Sequence, residues 1–143
     1  MNTSRRRQIS PRRVKTQSGN ALLEGALSLT VFLMMFFGII EFGRAVFAYN
    51  SLQFAAAAGA RYGSVRGNSS GHLITASAMT TYVDGLLVGI SPGSVTVTTT
   101  WSPDANPGST ITVNVAYAFT FLQPYMPTTN LNLSAQSGMT ISQ

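Results

Sequence analysis

The chain of 143 residues has no cysteine, one histidine and only four acidic residues. The lack of cysteine excludes disulfides and thiolate metal sites. The few carboxylate and imidazole groups form no carboxylate pair, nucleophile and base set, or cluster of metal ligands within a short span. We therefore expect no catalytic residue, no metal and no cofactor, and we expect that the protein is not an enzyme.

Charged residues are also scarce, at 9% of the chain, where soluble domains average about 25%. The net charge of +5 describes one segment, because six of the nine basic residues lie within the first fifteen residues. Beyond Gly19, three arginines face four acidic residues, so the remainder carries a net charge of −1. This distribution argues against a basic surface for nucleic acid, and we expect no nucleic-acid partner.

An uncharged run of sixteen residues, from Gly25 to Ile40, indicates a membrane segment. At about 1.5 Å per residue it covers roughly 24 Å of a ~30 Å hydrocarbon core, and apolar residues on both flanks extend it. Basic residues precede the run and no comparable cluster follows it, which places the N-terminus in the cytoplasm and the C-terminal part outside. We therefore predict a transmembrane helix over residues 20–41, surrounded by the lipid bilayer.

A secretory signal peptide would need a small-residue cleavage site directly after the apolar run. The candidate, Ala55–Ala57, comes fifteen residues after the run and beyond Glu41 and Arg44. Release of an exported enzyme or binding domain by cleavage near Gly59 is therefore the least favoured interpretation.

The helix is predicted to continue beyond the membrane. No proline interrupts residues 12–91, and apolar residues recur there at the three-and-four spacing of one helical face. The residues with this spacing are Phe42, Ala45, Val46, Tyr49, Leu52, Ala56 and Ala60. A helix from Ala21 to Ala60 would be about 60 Å long, twice the apolar thickness of a bilayer. We therefore predict an exposed continuation of the helix over residues 42–62.

Small residues near the end of this helix permit close approach of another backbone. They lie in the stretch FAAAAGAR, from Phe54 to Arg61, and we select Ala56, Gly59 and Ala60 as the helix-packing residues. Packing against the protein's own outer domain and packing against another subunit both remain open, and we favour the first.

Beyond the helix, the sequence predicts a small domain of mixed structure. A break rich in glycine and serine, from Arg61 to Gly71, ends the long helix. Helical spacing between Ile74 and Ile90 predicts a second, shorter helix. Alternation of period two then predicts a hairpin with strands over residues 95–101 and 111–121, and a third strand near residues 131–135.

The predicted fold class is α+β, with a long N-terminal helix, a second short helix and a small antiparallel β-sheet. Residues 72–143 form the exported domain. Its polar residues are predicted to have structural roles: His72 lies in the break, Asp84 in the second helix and Asp104 in a turn. Trp101 alternates with polar residues along a strand, which favours a place in the core over a ligand-stacking role.

The start of the membrane segment has a further pattern. A basic leader ends in Gly19, the sequence Asn20–Glu24 follows, and the apolar run comes next. This arrangement resembles type IV prepilins and pseudopilins. The stretch Phe37–Gly63 resembles the TadE-like branch of the tight-adherence (Tad/Flp) pilus system, because it contains the motif IEFGR and an alanine-rich stretch that ends in GAR. One departure is Gly25, since the family's glutamate is usually followed by an aromatic residue.

The resemblance implies a minor pseudopilin with a pilin-like fold, which is a structural and assembly component of a Tad-type pilus. It implies that a prepilin peptidase removes residues 1–19 by cutting after Gly19, and that Asn20 then carries a new amine. In the family, the glutamate that corresponds to Glu24 meets this amine in a neighbouring subunit. The implied partners are other pilins and pseudopilins, the prepilin peptidase and the inner-membrane assembly platform.

The resemblance also implies a location in the inner (cytoplasmic) membrane, with later incorporation into a pilus. An alternative interpretation is an uncleaved single-pass envelope protein whose outer domain binds a partner or a glycan. The two interpretations differ in the residue with which the membrane-resident protein begins.

Overall fold

The computed structural model describes residues 17–91, 93–122 and 130–142, so most of the predicted leader lies outside the described residues. The elements are α1 (Gln17–Ser64), a 3₁₀ turn (Asn68–Ser70), α2 (Ala76–Asp84), β1 (Val95–Ser102), β2 (Thr110–Phe119) and β3 (Leu131–Thr140). The predicted α+β class, with two helices and an antiparallel sheet, is confirmed. The chain divides into two units, Met1–Phe37 and Gly38–Gln143.

The first unit contains, in its described part, the N-terminal stretch of α1. Its large apolar side chains, from Leu22 to Phe36, are between 39% and 75% exposed. The hydroxyl of Thr30 donates a hydrogen bond of 2.8 Å to the carbonyl oxygen of Ala26, so it is satisfied within the helix. A helix that is apolar on all sides and uncovered by protein favours an apolar solvent. By length and composition α1 can cross a membrane, which fits a single-pass membrane protein.

In the second unit, the C-terminal stretch of α1 and α2 pack on one face of the sheet. The strand order is β1-β2-β3 and both pairs are antiparallel, so β2 is central. Val115 of β2 lies opposite Val97 on one side and Ala135 on the other, which continues the apolar face across the sheet. Residues with no exposed surface in this core include Leu52, Ala55, Ala56, Ala60, Met79, Val83, Ile111, Val113 and Val115.

Within this unit, α1 and β2 run side by side in opposite directions. Gly63 approaches Ile111 near the start of β2, and Glu41 receives a hydrogen bond from Leu122, just beyond the end of β2. The step from Glu41 to Gly63 along a helix spans about 33 Å, and the step from Ile111 to Leu122 along an extended strand spans about 36 Å. Because the two lengths agree, the helix supports the full length of the central strand.

The close approach at the end of α1 depends on glycine. A Cβ atom at Gly63 would collide with the side chain of Ile111 and lie 2.9 Å from Cε of Met79. The carbonyl oxygen of Ser64, the last residue of the helix, also has a hydrogen-bond partner. The backbone amide of Ser142 donates to it at 2.8 Å. The C-terminal residues after β3 therefore fix the end of α1.

Several element boundaries differ from the sequence predictions. The helix α1 extends to Ser64, so the break that was predicted from Arg61 begins later, because nothing in the sequence before Gly67 forces the helix to end. The helix α2 (Ala76–Asp84) is shorter than the span predicted between Ile74 and Ile90, so Asp84 is its last residue. Phe121 lies outside β2, which ends at Phe119, and β3 continues to Thr140, paired along its whole length with β2.

Candidate assembly site

The predicted cleavage site and Glu24 lie near the start of α1, within the first unit. Gly19, Asn20 and Glu24 are all helical and exposed. A Cβ atom at Gly19 would meet nothing within 4 Å, so the fold itself does not require glycine there. Asn20 and Glu24 are four residues apart and lie on one face of the helix, about 6 Å apart along its axis.

Glu24 has no electrostatic partner among the described residues of the chain. A helix N-terminus favours acidic side chains, but the effect falls off within the first turn. Because α1 begins at Gln17 and its first turn contains no acidic residue, Glu24 lies too far into the helix of the intact chain for this explanation. The carboxylate therefore sits at the start of an exposed apolar helix without a stabilising contact from the described part of its own chain.

A second acidic residue on α1, Glu41, has a very different environment. Its side chain is only 2% exposed, and Oε2 lies 2.6 Å from Nη1 of Arg44, one helical turn later. The guanidinium carbon of Arg44 lies 5.1 Å from the ring centroid of Phe119. The backbone amide of Leu122 donates to Oε1 of Glu41 at 3.3 Å. Each carboxylate oxygen thus has its own hydrogen-bond donor.

These contacts offset the cost of burying the carboxylate of Glu41. A buried carboxylate is costly unless it is paired and hydrogen-bonded, and Glu41 is both. The pair also connects α1 with the end of β2. Arg44 packs over Phe119, the last residue of β2, and the backbone amide of Leu122 binds the carboxylate of Glu41 directly. We call Glu41, Arg44, Phe119 and Leu122 the Glu41 clamp. It fixes the end of β2 to α1 at the residue with which the predicted transmembrane segment ends.

Glu41 and Arg44 belong to the motif IEFGR, and the sequence alone indicates no role for them. Their separation of three residues is a signal for an ion pair on one helical face. Burial of Glu41 and its bond to Leu122 had no comparable signal, since the two residues are 81 positions apart.

The predicted helix-packing residues lie on the buried side of α1. Ala56 and Ala60 have no exposed surface. A Cβ atom at Gly59 would lie 3.1 Å from Cγ2 of Val83 in α2 and 3.4 Å from Cγ1 of Val113 in β2. In this single chain, these residues therefore pack on α2 and the sheet.

Asp104 and His72 lie in connections between the elements. The pKa of the Asp104 carboxyl lies below its ordinary value, first because the hydroxyl of Ser109 donates to Oδ1 at 2.6 Å and then because the backbone amide of Asn106 donates to the same atom at 2.9 Å. His72 is exposed in the connection between the helices. Within residues 17–91, 93–122 and 130–142, no group of three or more potential metal ligands occurs.

One family model matches part of the chain. Residues 19–61 match the family model described as TadE-like protein. The matched segment is TadE-like. The match begins at Gly19 and ends at Arg61, so it covers most of α1 and includes the Glu41–Arg44 pair, but it excludes α2 and the sheet. No curated protein and no solved structure matches the chain.

The TadE-like family is structural and belongs to the Tad pilus system. The match supports a pilus-associated component, and the family implies association with other pilus components.

Proposed function

We propose that this TadE-like protein is a minor pseudopilin, which a prepilin peptidase cleaves after Gly19 before the subunit enters a Tad-type pilus. The observation that carries this proposal is the extent of the family match, which begins at Gly19 itself and follows α1 to Arg61. The matched part thus contains the proposed cleavage and assembly residues, and it excludes α2 and the sheet. A structural role without catalysis follows from the same assignment.

In this proposal the precursor waits in the inner membrane with its basic leader in the cytoplasm. Removal of residues 1–19 takes away six positive charges that hold the leader there and creates an amine on Asn20. The inner-membrane platform then moves the subunit from lipid into the filament, where its outer domain lies outside the membrane.

In this proposal, Glu24 makes the contact that favours assembly of the subunit into the filament. An unpaired carboxylate costs roughly 2.5 kcal/mol or more at mid-bilayer, and less towards the edge. The exposed position of Glu24 leaves it accessible to another helix. We propose that it pairs with the amine of Asn20 in a neighbouring subunit, which makes the filament more favourable for the subunit than lipid alone.

The test compares Glu24→Ala with Ser28→Ala. Both residues are exposed on the same face of α1, four residues apart, and both variants receive the same new side chain. We expect Glu24→Ala protein to be cleaved and to remain in the membrane, but to fall at least about tenfold in sheared filaments, which corresponds to a loss of about 1.4 kcal/mol. Ser28→Ala protein is expected to enter filaments normally.

Normal incorporation of the Glu24→Ala protein would contradict the pairing. It would also be the result if Glu24 met the amine of its own chain, one turn away on the same face, since an intrachain pair gives no preference for the filament. Protein that keeps its leader and never reaches filaments would favour the alternative, a permanently anchored envelope protein.

A further inference from the structure

The Glu41 clamp determines where one end of the outer domain lies relative to the point at which the chain leaves the bilayer. Glu41 is the last residue of the predicted transmembrane segment, and the amide of Leu122 is bound to its carboxylate at 3.3 Å. The interfacial layer on each side of the hydrocarbon core is roughly 6 Å thick. For a span that ends at Glu41, we therefore expect Leu122 to lie within or directly beside this layer.

Leu122 presents an apolar side chain at this point, and 71% of its surface is exposed. Its described neighbours in the chain, Thr120 and Phe121, are uncharged. The opposite end of the unit is different, because Asp104 lies in the hairpin there and Arg61 lies near the end of α1. Leu122 thus gives the near end an exposed apolar residue, while Asp104 and Arg61 give the far end exposed charged residues.

We propose that the outer domain rests on the outer surface of the bilayer, and that Leu122 together with the exposed apolar residues of α1 beside Glu41 contacts lipid. These helix residues form a collar around the clamp. They are Ile39, Ile40, Phe42, Val46 and Phe47, which are between 41% and 72% exposed.

The arrangement of the collar favours lipid over a partner helix. Ile39, Phe42 and Val46 lie on one flank of α1, while Ile40 and Phe47 lie on another flank, roughly 120° away around the axis. The clamp residues Glu41 and Arg44 occupy the side that faces the domain. A single partner helix would contact one apolar stripe of α1. Apolar side chains on both flanks that the domain leaves free are instead suited to surrounding lipid.

The polar groups of the clamp are compatible with this location. Inside the interface an unsatisfied amide or a single buried charge is costly, but the amide of Leu122 is bound and the charges of Glu41 and Arg44 cancel. The side chain of Arg44 remains 38% exposed beside an open groove of about 360 Å³ that Ile40, Phe47 and Phe119 line. A guanidinium at this depth can bind phosphate oxygens of lipid headgroups.

The absence of cysteine makes a direct test simple, because one introduced cysteine is the only site of labelling. The full chain is reconstituted in vesicles of phosphatidylethanolamine and phosphatidylglycerol, and a polarity-sensitive fluorophore is attached to Leu122→Cys. Thr100→Cys is the matched control, since Thr100 is exposed on β1 opposite Thr112, near the far end of the sheet. Val31→Cys reports whether the predicted span lies in the bilayer.

Quenching by nitroxide-labelled lipid and by aqueous iodide then separates the outcomes. We expect lipid quenching at Leu122 to be at least about half of that at Val31, with iodide quenching severalfold weaker than at Thr100. Equal iodide quenching at Leu122 and Thr100 would overturn the proposal, and so would protection of Leu122 from both quenchers, which would indicate a second copy over this surface. The vesicles contain no pilus proteins, so failure here leaves the proposed pseudopilin role untouched.

Discussion

The backbone amide of Leu122 donates a hydrogen bond to the buried carboxylate of Glu41, 81 residues earlier in the chain. Through this bond and the packing of Arg44 over Phe119, the end of β2 is fixed to α1 at the residue where the predicted membrane segment ends. Glu41 and Arg44 lie within the matched TadE-like segment, whereas Leu122 lies outside it. The matched helix therefore provides an anchor for a sheet that the family match does not include.

The Glu41 clamp predicts non-additive stability effects. Arg44→Met is expected to lower the free energy of unfolding of the outer domain by about 1–3 kcal/mol, because it leaves a buried carboxylate with one donor fewer. Glu41→Gln removes the charge and is expected to cost a similar amount. The double variant should cost clearly less than the sum of the two single variants. Denaturant unfolding of the full chain in detergent, followed by circular dichroism, measures all three, and strictly additive costs would contradict the clamp.

The contact between α1 and β2 predicts opposite effects for two helical glycines. Gly63→Ala places a methyl group against Ile111 and Met79, and overpacking of this kind costs about 1–3 kcal/mol. Gly43→Ala meets nothing within 4 Å and should gain up to ~1 kcal/mol from helix propensity. The same unfolding measurement compares them. A Gly63→Ala protein as stable as the Gly43→Ala protein would show that the helix and strand are not so close.

The hairpin turn at Asp104 predicts a dependence on pH. Its pKa is lowered in the folded protein, chiefly by the Ser109 hydroxyl, so the bound carboxylate stabilises the fold fully above the unfolded pKa of about 3.9. This contribution is lost as the pH falls through the lower, folded pKa. We expect wild type to be more stable than Asp104→Asn at pH 7 and the difference to vanish well below pH ~4. A Ser109→Ala variant should shift the loss to higher pH, and an unchanged midpoint would contradict the assigned cause.

The proposed cleavage site predicts a contrast between two glycines near the start of α1. Gly19→Ala should block removal of the leader, whereas Gly25→Ala should be processed normally. A Cβ atom at either position meets nothing within 4 Å, so neither variant is expected to disturb the fold. Immunoblots of the two proteins in the native host separate precursor from mature chain. Normal processing of the Gly19→Ala protein would place the cleavage site elsewhere.

Much of the fold follows from local patterns in the sequence. The apolar residues of β2 alternate with a period of two because one face of the strand is covered, and the structure buries Ile111, Val113 and Val115 on that face. The missing proline likewise predicted the long helix. These signals are strong because they repeat over many residues.

The details that the sequence did not predict depend on contacts between distant segments. Asp84 carries no signal that distinguishes a helix end from a helix middle. Phe121 continues the alternation of β2, yet the strand ends two residues earlier, where Leu122 binds Glu41 instead of a neighbouring strand. The role of Glu41 was missed for the same reason, since its environment is formed by a residue 81 positions away.

The N-terminal residue of the membrane-extracted protein tests the central claim most directly. Mass spectrometry of the N-terminal peptide from the native host should show a chain that begins at Asn20, as the proposed cleavage after Gly19 requires. A chain that still carries its basic leader, or one that begins near Gly59, would contradict the account.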